Sequence, residues 1–296
     1  MDMHLPLKIA ETVPLKDRHQ RSLQELRVSV IDRCNFRCSY CMPAGSLHGK
    51  GVFLPLEKLL TDHEIKDLVW TFVDLGVRKL RITGGEPLLR PGLPALLEQL
   101  AAIPSLNDIA LTTNGVLLPR LAADLANAGL NRITVSLDTL DRDVLREMTT
   151  GTAKLEQILE GISAAEAAGF QRQKINTVVQ RGVNDHTVMD LLAHFRGSLH
   201  SVRLIEYMDV GNSNHWSKSD VIPNAEWIET IGQKWPIRPV ESGNPAETAR
   251  RYEYLDGQGE IGFISSIWAD RNDRYSEERG QPGHDQKKVE MYRLGG

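Results

Sequence analysis

All three cysteines of the 296-residue chain lie within one short stretch, Cys34-Asn-Phe-Arg-Cys38-Ser-Tyr-Cys41. An odd number of thiols at such close spacing makes a poor disulfide framework and a good set of metal ligands. Three thiolates can each hold one iron of a cubane iron–sulfur cluster, which leaves the remaining iron open to a small molecule. A tetrahedral zinc site would need a fourth protein ligand, such as His48, and structural zinc sites usually present paired Cys-x-x-Cys or Cys/His knuckles. A second stretch with chemical content is Thr83-Gly84-Gly85-Glu86-Pro87. Its two glycines let a ligand approach the backbone and Glu86 offers an acceptor beside them, although the same residue types also build an ordinary tight turn.

These groups need a frame. Apolar alternation followed by amphipathic stretches recurs along the first two-thirds of the chain, the pattern of strand–helix units in a parallel sheet. Strands are expected over 26–31, 79–83, 109–113, 132–137, 174–179 and 202–207, and helices over 62–75, 93–103, 118–128, 155–168 and 185–195. Gly76, Gly129 and Gly169 stand where a left-handed helix stop is wanted. The fold class is therefore α/β, a partial TIM-type (β/α)6 barrel with a smaller C-terminal region. The expected division is an N-terminal extension over 1–24, a barrel over 25–220 and a C-terminal region over 221–296. In that last region 223–234 reads as a helix, 238–249 as a loop, 250–265 as a hairpin turning at Asp256-Gly257, and 269–286 as a strongly charged run. The cysteine stretch follows the first strand directly, at the end of the barrel where active sites are built.

Strand parity speaks about a ligand. Successive side chains alternate faces, so Leu26, Val28 and Val30 should face the outer helices while Arg27 and Ser29 face inward. By the same rule Lys79, Arg81 and Thr83, then Thr112, then Thr134 and Ser136, then Lys174 and Asn176 point into the barrel. A barrel filled only for stability would carry branched apolar residues there. Several cations converging on one cavity call for an anionic ligand, and a polyphosphate fits. The chain as a whole is not basic: its formal charge is -4 and its pI about 6.2, which argues against wholesale nucleic-acid binding. No apolar run approaches the roughly 18 residues of a membrane span, and Met1 to Glu11 lacks a signal-peptide core, so the chain reads as cytoplasmic with no membrane partner.

The Cys-x3-Cys-x2-Cys spacing after a first barrel strand resembles the signature of the radical S-adenosylmethionine (SAM) superfamily. The resemblance narrows to the GTP 3',8-cyclase family of molybdenum cofactor biosynthesis. It is carried by 26–43, by Arg81-Ile-Thr-Gly-Gly-Glu-Pro-Leu-Leu-Arg90, by Leu111-Thr-Thr-Asn-Gly115 and by Thr134-Val-Ser-Leu-Asp138. Lys174-Ile-Asn-Thr-Val-Val179, Ile205-Glu-Tyr-Met-Asp-Val-Gly211 and the final 287–296 continue it. It implies one [4Fe–4S] cluster on Cys34, Cys38 and Cys41, and S-adenosyl-L-methionine held by Tyr40, Gly84, Gly85, Glu86, Ser136 and Met208. It implies GTP, or a similar nucleotide, held by Arg27, Arg81, Thr112 and Lys174, to which strand parity adds Lys79, with the tail residues Gly295 and Gly296 reaching the site. The reaction it implies begins with a 5'-deoxyadenosyl radical taking hydrogen from C3' of the GTP ribose. It further implies an external electron donor, leaves a homodimer open, and makes cyclic pyranopterin monophosphate synthase the pathway partner.

One departure stands out. The family carries a second cysteine set near its C-terminus, whose cluster binds the guanine ring. Here Ile261-Gly-Phe-Ile-Ser-Ser266 resembles the lead-in to that segment, and Ile267 onward already resembles sequence from beyond it. With every cysteine in the first motif, a second cysteine-ligated cluster has no ligands. Three readings remain: a GTP 3',8-cyclase impaired by the loss, a single-cluster radical enzyme acting on another phosphorylated substrate, and a non-catalytic cluster- or nucleotide-binding paralogue.

Overall fold

The protein is described by a computed structural model covering residues 15–18, 21–41, 53–209, 216–241 and 247–265. Six strands pair in parallel, each with the next: β1 (Glu25–Ser29), β2 (Lys79–Thr83), β3 (Asp108–Thr113), β4 (Arg132–Ser136), β5 (Lys174–Val179) and β6 (Ser201–Glu206). Helices α1 (Asp62–Asp74), α2 (Leu93–Ala101), α3 (Leu118–Asn127), α4 (Arg142–Met148), α5 (Leu155–Ala167) and α6 (Val188–Phe195) lie between successive strands.

The two faces of the sheet divide as parity requires. Leu80, Ile82, Leu111, Val135 and Ile175 are fully buried beneath the helices, each such burial contributing about 1.5–3 kcal/mol. The helices answer with their apolar stripes, Ile65, Val69 and Val73 on α1 and Leu93, Leu96, Leu97 and Leu100 on α2. Thr61 and Glu64 close a capping box at the start of α1, which satisfies backbone donors the helix cannot. Gly76, Gly129 and Gly169 all take positive φ just past their helices, as their placement in the sequence implies.

Beyond β6 follow α7 (Asn224–Lys234), β7 (Ile237–Pro239), β8 (Arg250–Tyr254) and β9 (Glu260–Ile264). The hairpin of β8 and β9 does not stand apart from the barrel. Strand β9 pairs in parallel with β6, and the sheet runs β1-β2-β3-β4-β5-β6-β9-β8-β7. It is an open, partial barrel with β1 and β7 at its edges. Two elements depart from expectation: α4 was not anticipated, and β7 takes the first residues of what reads as a loop. Strand β1 also ends at Ser29, two residues before the expected end, because the chain turns there into the cysteine loop. The expected charged run and the Gly-Gly tail lie outside the described residues. Among the described residues no helix is long and apolar enough to cross a membrane.

Candidate functional site

The cysteine loop leaves β1 and is held along its length by three other segments. Gly85 N–H donates to the Ile31 carbonyl and Glu86 N–H to that of Arg33, both at 2.7 Å. A Cβ on Gly84 or Gly85 would drive into the backbone of Ile31 or Arg33. The glycine pair therefore admits, at its closest point, the cysteine loop itself. Further along, Asn114 Nδ2 donates to Asn35 Oδ1 at 2.7 Å and Phe36 is buried. The Arg37 peptide is bound by Thr150 and Thr152, and Ser39 N–H donates to Met148 O at 2.8 Å. Tyr40 Oη donates to Asp138 Oδ2 at 2.7 Å.

Two buried carboxylates join these segments. Glu86, 1% exposed, accepts from Thr113 Oγ1 and Asn114 N–H, each at 2.7 Å, and from Leu88 N–H at 3.0 Å. Its oxygens tie the ends of β2 and β3 together, so its place in the site is that of a staple. Burial raises its pKa against those three donors. Asp138 follows β4 by two residues and also accepts from Val178 N–H at 2.9 Å. Burial pushes its carboxyl up to about 6, although Tyr40 and Val178 stabilise the anion.

The thiols fit a cationic metal group. Burial pushes Cys34 up to about 11 and raises Cys38 and Cys41 as well. Beyond burial, Glu86 and then Cys41 oppose ionisation of Cys34, and Asp138, then Cys41 and Cys34, oppose that of Cys38. Three thiolates can share this loop only if the group they bind brings positive charge, which couples its binding to proton release. Among the described residues no three His, Cys, Asp or Glu side chains are grouped to hold a single ion. A cubane asks for a wider arrangement, one thiolate on each of three irons.

Deeper in the sheet, register stacks the inward residues: Arg27 beside Arg81, Ala110 beside Arg132, Thr134 beside Lys174, and Asn176 beside Arg203. Arg81 pairs with Glu25 at 2.5 Å and Arg132 with Asp108. Arg251 is ion-paired with Glu247 and Glu260, both at 3.2 Å. Lys174 and Arg203 form no ion pair among the described residues. Burial, then Arg203, Arg132 and Arg81, hold Lys174 down at about 7 against the opposing pull of Asp108. Arg203, 6% exposed, is lowered to about 10 by burial and then by Arg81, with Glu247 opposing. Its stem crosses Gly262, where a Cβ would stand 3.1 Å from Arg203 Cγ.

Of the residues singled out from sequence, Arg81 and Lys174 thus share one cationic cluster. Arg27 borders it on the exposed edge strand, Lys79 stands at the base of β2, and Thr112 lies one strand from the Thr134–Lys174 pair. Ser136 ends β4 beside Asn176, and Met208 follows the C-terminal end of β6. Gly295, Gly296 and His48 lie outside the described residues. Sequence reasoning missed Arg132 and Arg203, although the parity rule already applied would have found both. It also missed Asn35, Asn114 and the turn after α4, whose signal was Asp141 as a helix cap and Gly151 as a stop.

Comparison with known proteins bears on the family and the fold. A model of the Radical SAM superfamily matches residues 28–195, and one of Molybdenum Cofactor Synthesis C matches 200–270. A GTP 3',8-cyclase of Xanthomonas campestris pv. campestris is 42% identical over 332 residues, covering 96% of this chain and 98% of that protein. One of Acidothermus cellulolyticus is 50% identical over 256 residues, covering 86% of this chain and 71% of that one. An alignment of 332 positions holding 96% of a 296-residue chain leaves several dozen positions where this chain has no residue. Among solved structures, Streptococcus suis SuiB bound to S-adenosylmethionine shares the fold at a TM-score of 0.59 and 16% identity, over 82% of this chain and 50% of that one. This chain thus spans half the length of SuiB. With one family model over more than half its length and a 42%-identical relative matched over 98% of that relative, the chain belongs to the radical SAM superfamily and, within it, to the GTP 3',8-cyclase family.

Proposed function

We propose that the chain binds GTP in the sheet's polar lumen and converts it to 3',8-cyclo-7,8-dihydroguanosine 5'-triphosphate for molybdenum cofactor biosynthesis, working with a single [4Fe–4S] cluster on Cys34, Cys38 and Cys41. The observation that carries this reading is the buried Arg203 and the half-buried Lys174, which form no ion pair among the described residues and lie beside Arg81 and Arg132. Unpaired charges at such depth are costly unless a ligand completes them, and a triphosphate supplies the complementary charge. When bound, the cluster and S-adenosylmethionine supply the 5'-deoxyadenosyl radical. The chain's own residues do the rest. Lys174 and Arg203 anchor the phosphates, Arg27, Lys79, Arg81 and Thr112 border them, and Ser136, Tyr40, Gly85 and Met208 frame the SAM end. Glu86 and Asp138 keep the cysteine loop in register with that end. The same reading places the protein in the cytoplasm, with an external electron donor and cyclic pyranopterin monophosphate synthase acting next.

A second reading has its own observation, the several dozen positions present in the Xanthomonas relative and missing here. On that reading the chain is a radical enzyme for another phosphorylated substrate. Anaerobic reconstitution with iron and sulfide, then incubation with SAM, reductant and GTP, decides between them. Cyclised GTP supports the first reading, 5'-deoxyadenosine without it supports the second, and neither product sinks both.

A further inference from the structure

We propose that the turn Thr149-Thr150-Gly151-Thr152 is the positioning element of the cluster loop, with the Thr150 and Thr152 hydroxyls setting the path of the chain between Cys34 and Cys38. The inference rests on the reading that these cysteines carry a cluster. The hydroxyls bind the backbone of one residue, Arg37, on both sides of its Cα. Arg37 N–H donates to Thr152 Oγ1 at 3.0 Å, and Thr150 Oγ1 donates to Arg37 O at 3.0 Å. Arg37 in turn folds its guanidinium back on the loop, with Nη1 donating to Cys34 O at 2.8 Å and Phe36 O at 2.9 Å. A residue more than a hundred positions away therefore decides where Cys38 stands relative to Cys34.

The turn is itself held rigidly. Thr149 is 1% exposed. Its hydroxyl donates to Leu145 O at 2.7 Å and accepts from Ala153 N–H at 3.3 Å. Thr152 Oγ1 donates to Thr149 O at 2.6 Å, which leaves its lone pairs to the Arg37 N–H. Gly151 N–H donates to Arg146 O at 2.7 Å. Thr150 has φ of 49° and Gly151 of 76°. A β-branched residue in the left-handed region is unfavourable, and glycine would fit better on backbone grounds alone. What threonine adds there is the hydroxyl on Arg37 O.

This sets stability against cluster retention. Thr150→Gly relieves the backbone and removes the hydroxyl. The metal-free variant should melt no lower than the metal-free parent, while the reconstituted variant should lose iron to a chelator about five- to tenfold faster, the worth of one ordinary hydrogen bond. Thr152→Ala should speed iron loss similarly. Thr150→Ser and Thr152→Ser, which keep the hydroxyls, should restore the parent's rate and the electron paramagnetic resonance spectrum of its reduced, SAM-bound cluster. Parental iron-loss rates in Thr150→Gly and Thr152→Ala, or no rescue by serine, would overturn the proposal with the cluster reading intact. Failure of the parent chain itself to take up iron and sulfide would overturn both.

Discussion

Lys174 lies where folding and ligand binding meet. Its pKa of about 7, against an ordinary 10.5, means the folded lumen disfavours its charge. Below about pH 7 the lysine is charged in both states and the fold bears the full cost. Between about 7 and 10.5 the unfolded chain holds the proton and the folded chain does not, so this residue's contribution to stability rises with pH. Lys174→Met should remove that rise and raise the melting temperature at neutral pH, which denaturation across a pH series would show. An anion in the lumen reverses the balance by favouring the ammonium. Above about pH 7, binding of a nucleoside triphosphate should take up close to one proton at Lys174. Calorimetry in buffers of different ionisation enthalpy measures this. Lys174→Met should abolish the uptake and weaken binding about tenfold or more, the worth of one charge-assisted contact. A titration with no difference between parent and variant would remove Lys174 from the anion site. The inward direction of this lysine was legible from alternation alone, but that it forms no ion pair among the described residues was not, because pairing depends on which strands become neighbours. Glu86 shows the converse. Its place in a glycine-rich turn invites a ligand role, and only the folded contacts reveal that its carboxylate also accepts from Thr113, Asn114 and Leu88.

At the scale of elements, long periodic segments read well from sequence. Strands β2 and β5 fall where expected, and the helices α1, α2, α3 and α5 begin at their anticipated residues. Helix α4 did not, since seven residues give too few turns for periodicity to register. Close contacts between elements are equally silent in one sequence, and Gly161 on α5 illustrates why. An exposed helical glycine replaced by alanine gains about 1 kcal/mol. At Gly161 the added Cβ would run into the carbonyl of Gly115, on the loop between β3 and α3. Helix α5 would have to retreat from a backbone that cannot yield, and overpacking of that kind costs about 1–3 kcal/mol. Gly161→Ala should therefore destabilise, opposite in sign to its helix propensity. Chemical denaturation gives the answer directly, and a gain in stability would mean that α5 stands further from the loop than described.

For the whole molecule, alternating strands and helices made the barrel class readable, but not that the C-terminal hairpin would join the same sheet. Residue pattern predicts a hairpin, whereas its docking on β6 needs Gly262 opposite Arg203, a contact across more than fifty positions. That docking places Ser265, just after β9, beside Asn224 at the start of α7. On the resemblance read from 261–279, the segment that the family carries would leave the sheet from this point. Its absence bears on iron content in a way that does not depend on turnover. With three cysteines in the chain, anaerobic reconstitution should load about four irons, one cubane. Cys38→Ala should bring that close to none, since two thiolates no longer hold the cluster. Inserting the additional residues of the Xanthomonas relative between Ser266 and Ile267 should raise the load to about eight, as a second cubane finds ligands. If the unaltered chain already binds about eight, ligands other than cysteine hold a second cluster, and the lost segment no longer explains any loss of GTP turnover. If the insertion leaves the count at about four, the segment belongs at another point in the chain, and the resemblance across 261–279 must be realigned.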